Sequence, residues 1–219
     1  MSAIFNQPAP ELNIAQWVQG KPVSLKDLNG SVVLVEVFQV NCPGCFLYAL
    51  PEVIRLHGQF YDQGLVVLGL ATAFEDYDKN NLENLRGLIS SGTVVGETEK
   101  ALAKTSDLVD GHLPWRLPFP VGMDSVKVNE APLTDDTVLE IAKRLQPDIK
   151  QRRLEEQNYI LEKVEQYLKQ KTMLAETFEN YDLKGTPSSI LIDREGILRD
   201  VLFGQVDKLE SMIIKLLKR

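Results

Sequence analysis

The chain has 219 residues, 44% of them hydrophobic and 25% charged, with a formal net charge of −7. That length supports a sizeable core without a disulfide staple, and the acidic balance argues against a nucleic-acid partner, which requires clustered Lys and Arg. No apolar run approaches the roughly 20 residues of a membrane helix, and residues 1–11 lack the basic and apolar regions of a secretory signal, so no membrane partner and a cytoplasmic location are expected (periplasmic for a chain trimmed of a leader).

Residues 7–10, with two prolines, read as a leading loop, and 23–30 as a short helical turn closed by Gly30. Val32–Phe38 is apolar except for Glu36. A run of this kind between a glycine and a Cys-Pro step is a strand buried on both faces. A helix is expected over 43–62, kinked at Pro51, where an N–H is missing. Leu65–Ala71 reads as a second buried strand, which completes a βαβ unit. Near the C-terminus, 188–193 and 197–203 are expected to form a hairpin around Arg194-Glu195-Gly196. A helix over 206–218 aligns Leu209, Met212, Ile213, Leu216 and Leu217 on one stripe.

The stretch between these regions reads as helical over 81–90, 97–108, 135–145 and 148–178, the last breakable near Thr172. It carries nearly all the excess negative charge. Leu154, Leu161, Leu168 and Phe178 recur near heptad spacing, a pattern for core contact or for a dimer face. Trp115 is expected to anchor a loop leading into a strand, Trp17 to pack the N-terminal extension, and His57 to face solvent.

Cys42 and Cys45 are the only cysteines. A structural disulfide framework uses more cysteines at wider spacing. The pair falls where a strand gives way to a helix opened by Pro43, a residue favoured at a first helical position. Free N–H groups and positive partial charge at a helix start lower a thiol's pKa, and the thiolate is the nucleophile. Cys42 is therefore expected to attack disulfides, and the more buried Cys45, one turn on, to resolve the mixed disulfide. A zinc site would need two further ligands, and the only histidines, His57 and His112, lack ligand spacing. Two inert buried thiols are the other reading, although a Pro-Gly insert at a helix start is poor core design.

The segment 32–53 around Asn-Cys-Pro-Gly-Cys, the Pro-Ala-Pro-Glu-Leu and Val-Ser-Leu-Lys-Asp-Leu-Asn-Gly stretches, Phe-Pro-Val-Gly-Met-Asp at 119–124 and Gly-Thr-Pro-Ser-Ser-Ile-Leu-Ile-Asp-Arg-Glu-Gly at 185–196 together resemble thioredoxin-fold proteins of the TlpA-like and redoxin (AhpC/TSA) branch. The resemblance implies an α/β thioredoxin-like fold, a central mixed sheet flanked by helices. The fold would occupy 1–74 and 178–219, with 119–124 returning to it and a large, mostly helical insertion over 75–177. It implies a cis peptide before Pro187, with Thr186, Pro187, Pro43 and Gly44 binding substrate, and Glu36 moving a proton to or from Cys45. Burial in an apolar strand should raise the Glu36 pKa, while an outward-facing Glu36 is the plainer alternative.

The implied function is thiol–disulfide exchange, as a reductase, with a protein or small-molecule disulfide and a thiol reductant as partners. It needs no cofactor beyond the Cys42–Cys45 disulfide and no metal. The insertion offers a face for homodimerisation or a roof for a substrate groove. The chain departs from the family in Asn41, where an aromatic residue usually precedes the first cysteine, and in Pro51, one position late. A Pro-Gly dipeptide without histidine points to a mild oxidant on the reducing side. A thiol peroxidase is the alternative enzyme, although Phe38 and Pro187 stand where its proline and arginine are expected. A redox-sensing interaction module is the non-enzymatic alternative.

Overall fold

The computed structural model describes residues 3–130 and 132–218. In chain order it contains β1 (Ile14–Gln19), β2 (Val32–Phe38), a π turn (Cys45–Ala49) running into α1 (Leu50–Phe60), β3 (Leu65–Ala71), α2 (Leu82–Ser91), α3 (Gly96–Thr105), β4 (Val121–Asp124), β5 (Val126–Val128), α4 (Asp135–Leu145), α5 (Leu154–Gln170), β6 (Met173–Ala175), α6 (Glu176–Asn180), β7 (Ser188–Ile192), β8 (Leu198–Phe203) and α7 (Leu209–Leu217).

Six strands form a mixed sheet in the order β1-β4-β3-β2-β7-β8, flanked by helices. β2 sits inside it, parallel to β3 and antiparallel to β7, and all seven of its residues are buried. Side chains alternate along a strand. Leu34 and Phe38 therefore pack in the cluster with Leu50, Val53, Leu56, Ile213 and Leu216 of α1 and α7. Val33, Val35 and Val37 pack on the other face with Ile190, Ile192, Phe178 and Tyr181. Glu36 lies between Leu34 and Phe38 in that alternation, so its carboxyl joins the face covered by α1 and α7.

The helix expected over 43–62 with a break at Pro51 changes its hydrogen-bond register just before that residue. Pro51 sits in the first turn of α1, where a missing N–H matters least, and the π turn immediately before it takes up the change in hydrogen-bond register. The helical turn expected over 23–30 is a 3-10 turn at Lys26–Leu28. β1 has no counterpart among the sequence expectations. It is an irregular antiparallel edge strand on β4, only partly buried, so no alternating pattern announces it.

The division of the chain is narrower than the expected insertion. Residues up to Val126 and from Ala175 onward form one compact unit around the large sheet, and Lys127–Leu174 forms a second. α2, α3 and 106–120 thus belong to the sheet-based unit: Leu85, Leu88, Leu102, Leu113 and Leu117 are all in its core. The second unit has its own small core of Val138, Ala142, Ile149 and Val164, to which Leu161 and Leu168 add. Leu154 is 71% exposed, and Phe178 stacks on Phe74 in the sheet-based unit at 4.5 Å. The heptad-spaced residues therefore do not share one face. The helix expected over 148–178 is in pieces, with a 3-10 turn at Ile149–Gln151, α5, the extended β6 and the short α6.

Asp124, at the end of β4, secures the return of the chain to the large sheet. Its buried carboxylate accepts from Thr72 Oγ1 at 2.9 Å and from the backbone N–H groups of Thr177 and Phe178 at 3.0 and 3.2 Å. These bonds cap the first turn of α6 from another element. Replacing Asp124 with Ala leaves three buried donors unpaired and is expected to cost about 3 kcal/mol of unfolding free energy. Urea denaturation checks this: the midpoint falls while the slope is unchanged.

Candidate active site

β2 ends at Phe38, and the next four residues carry the chain to the mouth of a helix in which Pro43 and Gly44 are already helical. Cys42 is half-buried and Cys45 fully buried. The two thiols are 2.6 Å apart, sulfur to sulfur, with Cys45 donating to Cys42. That bond is the main cause of a Cys42 pKa lowered to about 6. Burial opposes it, and the Thr186 side chain and the N–H groups of Gly44 and Cys45 reinforce it. Cys45 moves the other way, its thiol pushed well up by burial and by its neighbour Cys42.

The loop before β7 faces the pair. The Thr186–Pro187 bond is cis, and the Cys42 sulfur lies 3.5 Å from the Thr186 carbonyl. The Pro187 ring packs over Gly44, where a Cβ would meet Pro187 Cδ at 3.8 Å. Cys42, Pro43, Gly44, Cys45, Thr186 and Pro187 thus form one contiguous patch, drawn from segments more than 140 residues apart. Glu36 lies beneath it, fully buried, accepting from Ser189 Oγ at 2.6 Å. Burial lifts its pKa to about 8, against the Ser189 bond, which lowers it. An outward-facing Glu36 is therefore excluded. Among the described residues no His, Cys, Asp and Glu group could hold a metal ion.

No known family profile matches the chain. A stretch of 75 residues, 32% of the chain, is 35% identical to protein DipZ of Mycobacterium bovis, and a stretch of 71 residues is 32% identical to protein FixW of Rhizobium leguminosarum. These stretches span 11% of DipZ and 31% of FixW. Among solved structures, a thiol-disulfide isomerase from Corynebacterium glutamicum is 27% identical with a TM-score of 0.60, and the match covers 98% of both chains. A thioredoxin-like superfamily protein is 25% identical with the same TM-score over 97% of both. The chain has a thioredoxin-like fold.

This thioredoxin-like site contains two residues to which the sequence reading assigned no role. Gln39 is buried. Its Oε1 accepts from the Thr186 hydroxyl at 3.2 Å, and its Nε2 reaches the Glu75 carbonyl at 3.4 Å. Asn41 accepts from the Glu97 N–H at 2.7 Å, donates to Asp76 Oδ2 at 2.7 Å and receives Asn80 Oδ1 on its own N–H at 2.9 Å. The Glu97 bond caps α3 from outside, since Val95 at the cap position has no side chain to do so. Gly96 permits the approach: it has positive φ, and a Cβ there would lie 2.3 Å from Asn41 Oδ1. Two amides closely preceding a reactive cysteine were the available signal. His57, expected to face solvent, packs its ring against Phe119 and Tyr61. Trp115 stacks on Phe46 of the π turn at 6.3 Å, an anchor as expected.

Two outcomes follow from this geometry. Replacing Asn41 with Ala removes the α3 cap and is expected to cost about 1 kcal/mol, with faster hydrogen exchange at the Glu97 amide as the local readout. For Glu36, the folded state holds its proton up to about pH 8 whereas the unfolded chain releases it near 4.5. The unfolded state binds fewer protons in that window, so the Glu36 contribution to stability falls as pH rises through it. Cys42, shifted downward, contributes with the opposite sign above about pH 6. The Glu36→Gln variant isolates the first effect: its stability relative to the parent should increase from pH 5 to pH 8 in urea denaturation, and an unchanged difference would refute the assignment.

Proposed function

We propose that this thioredoxin-like chain is a thiol–disulfide oxidoreductase working through Cys42 and Cys45, in the reducing direction. The observation that supports it most directly is the split within the pair. A half-exposed sulfur ionises near pH 6, and 2.6 Å away lies a sealed one whose thiol holds its proton. The Cys42 thiolate attacks one sulfur of a substrate disulfide. A Cys42–substrate bond forms, and the other substrate sulfur leaves as a thiolate. Cys45 then gives its proton to the Glu36 carboxylate and attacks Cys42. The Cys42–Cys45 bond forms, the second substrate sulfur leaves, and both enzyme cysteines are oxidised while the substrate gains two electrons. A thiol reductant from solution resets the pair.

Thr186 and Pro187 border the reacting sulfur, so an extended substrate segment lies against them, with Pro43 and Gly44 forming the floor. The direction follows from the thiolate. A very low pKa stabilises the reduced form and makes a strong oxidant, whereas a value near 6 lies closer to that of a reductase. The substrates are disulfides of proteins or small thiols. A peroxidase reading finds less support, because Phe38 and Pro187 occupy the places of the proline and arginine that such a site uses.

The test is alkylation and turnover. Iodoacetamide should label Cys42 of the reduced protein at a rate that rises with pH and levels off above about 7, with a midpoint near 6. Cys42→Ser should abolish insulin disulfide reduction, and Cys45→Ser should accumulate the mixed disulfide. A Cys42 midpoint above 8, or full turnover without Cys42, would overturn the reading.

A further inference from the structure

We propose that Ser189 is a positioning residue of this reaction: it holds the Glu36 carboxyl by Oε2 and leaves Oε1 to take the Cys45 proton. The inference rests on the proton-accepting role given to Glu36 above and deepens it with a residue from another strand.

The arrangement is built into the sheet. Glu36 on β2 and Ser189 on β7 are direct partners across the antiparallel ladder, so their side chains emerge side by side on the same face. Both are buried, at 0% and 7% exposure. Ser189 Oγ donates to Glu36 Oε2 at 2.6 Å, a distance typical of a hydroxyl on a carboxylate. Glu36 Oε1 is equally buried and has no hydrogen-bond partner among the described residues. A buried polar oxygen without a partner is uncommon, and here it belongs to the group that must accept a proton. The two oxygens of one carboxyl therefore have different tasks.

The surrounding charges make the hydroxyl matter. Cys42 and Glu52 of α1 both disfavour the ionised form of Glu36, and Cys45, whose own ionisation Glu36 opposes, is the third group facing it. Its partner on β3 is Gly69, which carries no side chain. None of these is a cation, and among the described residues the Ser189 hydroxyl is the side chain that favours the carboxylate. Transfer takes place in the ionised fraction of Glu36, in which Oγ–H donates to Oε2. The Cys45 S–H bond then breaks, an O–H bond forms on Oε1, and the Cys45 thiolate is free to close the disulfide. The Ser189 bond survives the transfer, so the carboxyl need not rotate.

The experiment compares the full-length parent with Ser189→Ala, Ser189→Thr and Glu36→Gln. Two readouts are used, the pH profile of kcat and KM for insulin reduction, and the carboxyl titration of Glu36 by carbon NMR. Ser189→Ala should raise the Glu36 midpoint and the matching limb of the kcat profile by about one pH unit. It should also lower kcat at pH 7 about tenfold and leave KM unchanged. Ser189→Thr, which keeps the hydroxyl, should restore the midpoint. If Glu36→Gln removes the limb while Ser189→Ala leaves it in place, Ser189 only packs and the proposal fails alone. If Glu36→Gln leaves the limb intact, the underlying role of Glu36 fails. Should Ser189→Ala not fold, Ser189→Cys, with its weaker donor, provides the same comparison.

Discussion

The chemistry of this protein depends on how little water reaches the end of β2. One face of that strand carries a carboxyl, and beyond its last residue come two thiols, all within a few residues of one another. Burial acts on each in proportion to its depth. It lifts Glu36 to about 8 and Cys45 further, while Cys42, at the helix mouth, keeps enough exposure for the Cys45 thiol and the first helical N–H groups to lower it. Three groups that would titrate in the order carboxyl, thiol, thiol in water are rearranged, so that the Cys42 thiol releases its proton first, Glu36 next and Cys45 last. Desolvation is therefore the main force that separates the carboxyl and the buried thiol from their ordinary values, and the sheet and helices that exclude water supply it.

The surface around Cys42 is held by amides. Gln39 ties the Thr186 loop to Glu75, and Asn41 ties the 76–80 loop and the start of α3 to the position just before Cys42. An aromatic side chain at position 41 would supply area. The Asn41 side chain supplies two directed hydrogen bonds, which fix loops that have little apolar surface of their own to bury. Asp124 does a comparable task at the C-terminal end of β4, on the same edge of the sheet as the end of β2, where a single buried carboxylate caps α6 and restrains Thr72. Both devices answer the same need: a chain that leaves the sheet after β3 and returns at β4 and β7 must satisfy backbone groups that no ladder reaches.

The second compact unit follows ordinary helical logic. α4 is capped by Thr134, whose hydroxyl accepts from the Thr137 N–H at 3.2 Å, with Asp135 and Asp136 in its first turn and Lys143 and Arg144 in its last. Its charges pair locally, as in Arg152 with Asp148 and Lys169 with Glu165. At four-residue spacing on or beside a helix such pairs are local scaffolding and contribute only tenths of a kcal/mol each.

What was legible in the sequence was whatever depends on near neighbours. Val32–Phe38, Leu65–Ala71 and Asp135–Leu145 were readable to the residue, because a continuous apolar run or a capped amphipathic period is a local signal. The Cys-Pro-Gly-Cys step and the Gly-Thr-Pro loop were readable for the same reason. β1 and β6 were not, since an irregular or three-residue strand exists only because a partner lies beside it. Nor could the order of residues show that Ser189 would face Glu36, that Asn41 would cap a helix 55 residues on, or that one oxygen of a carboxyl would be left unpaired. Strand register and depth of burial are set by segments distant along the chain, and they decide how readily each acid and thiol holds its proton.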